Sequence, residues 1–153
     1  MWSLVTLIPA GALALSDFRH RTVSAAWLAV FGMLAAGSVV LADGWMTMLA
    51  RSGSNLLLLG VLGGFVGLWL LLRGRVSGLR LRDYAGTGDL VFAVLLTPLF
   101  DLRGYLIFLL AGSAGSLVWW LAATRITGRP ATIPLVGTLG IAYILYTLYL
   151  IVA

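Results

Sequence analysis

The chain holds no cysteine, no lysine and no glutamate among its 153 residues, and a single histidine. Without cysteine there is no disulfide framework, no thiolate zinc site and no thiol nucleophile. One histidine, His20, cannot build a metal centre without further ligands, and no nucleophile elbow accompanies it to make a serine triad. No cofactor is implied. Charge is scarce as well: 10% of residues are charged and 61% are hydrophobic, where ordinary globular chains carry about a quarter charged and roughly 45–50% apolar residues. A water-soluble fold would lack polar residues to cover its surface. Lipid is therefore the solvent for most of the chain, and the length suits one compact bundle with little outside it.

All ten basic residues are arginine and all five acidic residues aspartate, giving a net charge of +5. The arginines lie in short segments between apolar runs and form no basic domain with interleaved aromatics, so nucleic acid is not an expected partner. The apolar runs are 1–16, 23–41, 55–72, 89–100, 105–124 and 132–153, to be compared with the roughly 17–25 residues that cross a bilayer as helix. No sustained alternation of polar and apolar residues suggests strands. The expected fold is an all-α, polytopic membrane helix bundle of about six transmembrane helices, with 1–153 as a single domain. Ala12-Leu13-Ala14 mimics a signal-peptidase site, but no positive segment precedes it, and the run reads as a retained first helix.

With six spans, alternate loops share a side. Loops 17–22, 73–88 and 125–131 hold Arg19, Arg21, Arg73, Arg75, Arg80, Arg82, Arg125 and Arg129, whereas the opposite set holds only Arg51 and Arg103. Positively charged short loops stay cytoplasmic, which puts both termini outside the cytoplasm and the chain in the cytoplasmic membrane. Gly60, Gly63, Gly64 and Gly67, and likewise Ala111, Gly112, Gly115 and Ser116, offer small-residue pairs for helix packing. Trp2, Trp27, Trp45, Tyr105 and Tyr149 read as interfacial anchors.

Asp43 and Asp101 fall in outer loops and read as solvated charges. Asp17 and Asp89 differ, because each sits where an apolar span meets the arginine-rich side, and charge within a membrane span marks function. The twelve residues from Asp89 to Phe100 make about 18 Å of helix, too short to cross a ~30 Å hydrocarbon core. Either the helix starts earlier, near Tyr84, or the Gly86-Thr87-Gly88 turn dips into the protein, where irregular backbone survives. Gly86 and Gly88 can take left-handed angles and allow close backbone approach. Two carboxylates sharing a low-dielectric site share one proton, one acting as base and the other as acid to activate water against a peptide carbonyl. The competing reading makes Asp89 a helix N-cap after turn glycines.

These features resemble the prepilin peptidases, in their small form without added domains. Asp17-Phe18-Arg19-His20-Arg21-Thr22-Val23 looks like the family's first motif, Gly86-Thr87-Gly88-Asp89 matches its Gly-x-Gly-Asp, and Ile133-Pro134-Leu135-Val136-Gly137 looks like the stretch opening its last span. Three positions depart from the pattern: Val91 replaces a usual lysine, Ser24-Ala25 replaces Pro-Asn, and Thr138 replaces a proline. The resemblance implies an aspartic endopeptidase with Asp17 and Asp89 as catalytic pair. Its substrate would be a type IV prepilin-like precursor, cut at the cytoplasmic membrane face to release a basic leader. Absence of cysteine implies absence of the zinc-bearing insert and of methyltransferase activity. Within this reading Asp83 is expected to assist leader binding without taking part in chemistry. A catalytically inactive homologue serving as an assembly scaffold, and a small transporter, are the other readings of the same sequence.

Overall fold

A computed structural model of the chain describes residues 4–20, 23–73, 86–127 and 135–152. Among these described residues six α-helices follow one another: α1 Leu7–His20, α2 Ala25–Asp43, α3 Trp45–Leu72, α4 Thr87–Leu96, α5 Leu102–Thr127 and α6 Leu135–Val152, with a 3₁₀ turn Thr97–Leu99 ending α4. No strand occurs among the described residues. Three helices, α2, α3 and α5, are long and apolar enough to cross a membrane, while α4 with its 3₁₀ turn and α6 are shorter apolar helices. Large apolar side chains such as Phe65, Leu57, Leu72 and Ile126 stand exposed. Water would not tolerate that surface and lipid does, so the chain is a helical membrane protein.

The second and third helices correct the expected span limits. In place of an outer loop through residues 42–54, α2 and α3 meet at Gly44 alone, the single positive-φ glycine among the described residues (φ 87°). Thr47, Arg51 and Ser54 look like loop residues, yet the helix accommodates each. Thr47 Oγ1 donates to the Asp43 carbonyl at 2.9 Å and Ser54 Oγ to the Ala50 carbonyl at 2.9 Å, turning polar side chains back onto the helix's own acceptors. Arg51 forms an ion pair with Asp43 at 2.7 Å across the hinge, so Asp43 is not merely a solvated loop charge. Asp101 is structural in the same way, since its Oδ1 accepts from the Gly104 N–H at 3.2 Å and so caps the start of α5.

Asn55, fully buried, explains how α4 can end inside the bundle. Pro98 has no N–H to offer, so carbonyls near the end of α4 need other donors. Thr97 Oγ1 donates to the Val94 carbonyl at 2.7 Å and Tyr105 Oη to the Ala93 carbonyl at 2.7 Å. The Asn55 carboxamide reaches both the Thr97 and Phe100 carbonyls, each at 2.8 Å. Tyr105 is therefore a buried partner of α4 and not the interfacial anchor its sequence position suggests. Trp27, Trp45 and Tyr149 are exposed, as anchors would be, and Trp2 lies outside the described residues.

An aromatic cluster of Phe31, Phe92, Phe100, Tyr105, Phe108 and Tyr143 fills the centre, with Phe100 and Phe108 stacked at 4.7 Å and Phe31 edge-on to Tyr143 at 5.7 Å. Around it α6 runs antiparallel to α1. Thr6 hydrogen-bonds the Tyr143 hydroxyl near one end of the pair, and Asp17 bonds the Gly137 amide at the other. Gly140 lets the helices close, since a Cβ there would stand 3.1 Å from Ala14 Cβ and 3.3 Å from the Ala10 carbonyl. Of the two small-residue stripes, that of α5 packs against a helix among the described residues. Gly112 sits against Leu139, and Ser116 is hydrogen-bonded to Thr138. A Cβ on Gly60, Gly63, Gly64 or Gly67 would meet nothing from another helix within 4 Å among the described residues.

Candidate active site

Asp17 lies in the last turn of α1 and is buried, one turn inside the helix end that the structure shows at His20. The helix continues past it to Arg19 and His20 because basic side chains suit the negative end of a helix dipole. The ring of Phe18, its chain neighbour, meets Trp119 edge-on at 5.2 Å.

Asp89 arrives from α4. Its helix starts at Thr87 with Gly86 as N-cap, so Asp89 is the third helical residue and not the cap. Its carboxylate folds back over Gly86, whose backbone N–H interacts with it, as an acidic side chain three positions into a helix does in a capping box. The glycines of Gly86-Thr87-Gly88-Asp89 are needed for room and not for a left-handed backbone. Gly86 has φ −58° and ψ 132°. A Cβ on it would lie 2.8 Å from Asp89 Oδ2, and a Cβ on Gly88 would lie 3.0 Å from Val23 Cβ, at the approach to α2.

The two aspartates meet at the first turn of α6. The Gly137 N–H donates to Asp17 Oδ2 at 2.7 Å and the Val136 N–H to Asp89 Oδ1 at 3.2 Å. Neighbouring backbone nitrogens are no farther apart than one ~3.8 Å residue step, so these two bonds keep the acceptor oxygens within about 10 Å of each other. First-turn amides have no acceptor within their own helix, and the positive end of the dipole favours negative charge there. One helix end thus holds two carboxylates with two consecutive donors. Gly137 is required by this contact, because a Cβ would stand 2.7 Å from Phe18 Cε2 and 2.8 Å from its Cδ2.

The α6 amides are the functional groups that side-chain reading of the sequence misses. A proline immediately before an apolar helical run, here Pro134, marks a helix N-terminus and is the signal that points to them. Thr138, where the resembled family has proline, fixes the same turn: its hydroxyl bonds Ser116 on α5 and the Leu135 carbonyl. Val91, at the position of the family's lysine, is an exposed apolar residue, so no cation comes from that position. Ser24 is the N-cap of α2. His20 is exposed at the end of α1. Asp83, Arg21, Arg75, Arg80, Arg82, Arg129 and the Ile133-Pro134 pair lie outside the described residues.

No protein-family model, curated protein or solved structure matches the chain.

Proposed function

We propose that the chain is an intramembrane aspartic endopeptidase of the prepilin-peptidase type. What carries the reading is the convergence of Asp17 and Asp89, distant in sequence, on consecutive amides of one helix end. Burial is costly for a carboxylate, and capping one helix end does not by itself require two of them, so the pair is read for a chemical role. As a dyad the pair has one. The unprotonated carboxylate takes a proton from water as the water oxygen bonds to the scissile carbonyl carbon. The protonated partner gives its proton to the substrate, the C–N bond breaks, and a carboxylic acid and an amine leave. The α6 amides keep both carboxylates oriented, a form of preorganisation.

The substrate class follows from the resemblance: a precursor with a basic leader, a cleavage point after glycine, and an apolar helix. The test is cleavage of such a peptide by the purified protein in detergent, with products read by mass spectrometry. One cut at the leader junction is expected; an intact peptide would leave the scaffold or transporter reading in its place.

All six helices act as spans in this reading, α4 reaching the surface only with its neighbours' help. The aspartates then face the cytoplasm, by the arginine bias, and both termini lie outside it. A reporter fused after Ala153 should be active when it requires the external compartment and silent when it requires the cytoplasm; the reverse pattern refutes this orientation.

A further inference from the structure

Ser116 lies buried midway along α5, among the small residues that let that helix approach α6. Its hydroxyl reaches the Gly112 carbonyl of its own helix at 3.0 Å, the usual recourse of a serine in a membrane helix. It also bonds the hydroxyl of Thr138 on α6, which reaches the Leu135 carbonyl at 3.1 Å. Either hydroxyl can be the donor in the bond between the helices. Thr138 follows the two residues whose amides hold the aspartates: Val136 donates to Asp89 Oδ1 and Gly137 to Asp17 Oδ2. We infer that Ser116, acting through Thr138, is a positioning residue for the aspartate pair, pinning the first turn of α6 against rolling so that both amides stay aligned with the carboxylates.

The inference rests on the peptidase reading and adds to it a residue that touches neither aspartate. Consecutive residues of an α-helix point about 100° apart. Gly137 faces α1, where Phe18 fills the space a Cβ would need, and Thr138 faces α5. The two contacts therefore hold the turn from different sides. Leu139 against Gly112 packs the same helices, but a flexible side chain can follow a rolling helix. A hydrogen bond weakens steeply as its angle closes. A roll of about 25° would carry a Cα ~1 Å round its ~2.3 Å radius, and a shift of that size at a catalytic group can cost 10²-fold in rate. A pair that served packing alone would lower stability when lost and leave turnover of the folded protein as it was.

Ser116→Ala and Thr138→Val each remove one hydroxyl of the pair. On the prepilin-like peptide each should lower kcat about tenfold with KM within about twofold, the pattern of an interaction that matters in the transition state. The double variant should lose no more than either single one, because all three break the same bond. Thr138→Ser keeps the hydroxyl and should restore kcat. Ser38→Ala removes a serine bonded to the Ala35 carbonyl of its own helix α2 and is the control without effect. Amide hydrogen exchange in detergent gives a readout independent of cleavage: residues 135–139 should exchange faster in Ser116→Ala while α2 and α3 keep wild-type rates. Wild-type kcat in Ser116→Ala, an equal loss in Thr138→Ser, or losses that add in the double variant overturn the inference. Exchange that rises in every helix assigns the pair to folding alone and overturns it too. Should the unaltered protein cut no peptide, the peptidase reading falls and exchange alone decides the pin: faster exchange confined to residues 135–139 upholds it, and unchanged exchange there overturns it.

Discussion

Asp89→Asn and Asp17→Asn, each alone, are expected to lower turnover of a prepilin-like peptide at least a hundredfold, since general acid–base catalysis by one positioned group is worth about 10²–10⁴. Asparagine keeps a carbonyl oxygen in place of the carboxylate oxygen that accepts from Val136 or Gly137, so the α6 contact can survive. What is lost is the ability to take or hold a proton. Both variants should therefore keep wild-type helicity and monodisperse behaviour in detergent while losing kcat. The two losses should also fail to add: the double variant is expected to be no worse than either single one, because the aspartates act as a unit. Cleavage at the wild-type rate by either variant ends the dyad assignment.

Gly137→Ala should produce the second large effect, without touching an ionisable group. The new methyl would press on the Phe18 ring at 2.7–2.8 Å. Phe18 is braced by Trp119, so part of the strain moves the first turn of α6 away from α1. That turn donates to both carboxylates, and misplacement of a catalytic group by about 1 Å can cost 10²-fold in rate. The expected result is a fall in kcat of about that size on the prepilin-like peptide. Phe18→Leu in the same chain should recover most of it by making room. A Gly137→Ala protein with normal kcat would show that the helix end does not position the pair, and failure of the double variant to recover would place the damage elsewhere.

The aspartates are legible in the sequence because charge is so rare in this chain. Once apolar runs are drawn, Asp17 and Asp89 stand at their ends with no soluble-surface explanation. The glycines before Asp89 are legible as a site of close approach, although the reason is space for a carboxylate and for Val23, not a left-handed turn. Residues 45–54 mislead for a definite reason: hydroxyl and guanidinium groups count as loop formers by composition, but here they bond to carbonyls of the preceding turn or across the Gly44 hinge. Tyr105 misleads because its phenol serves a carbonyl in α4 instead of the interface. The amides of Val136 and Gly137 leave no side-chain trace, since every residue but proline carries one. Their role arises from where a helix begins and from what two other helices bring to that point.

The position of those amides in the chain has a consequence for biosynthesis. The aspartates come from α1 and α4, but the donors that orient them belong to α6, the last of the six helices to leave the ribosome. A nascent chain inserted only as far as α5 carries both carboxylates without the α6 amides that bond them. The proposed dyad is therefore assembled only when α6 packs against α1 and α4, as the closing event of folding.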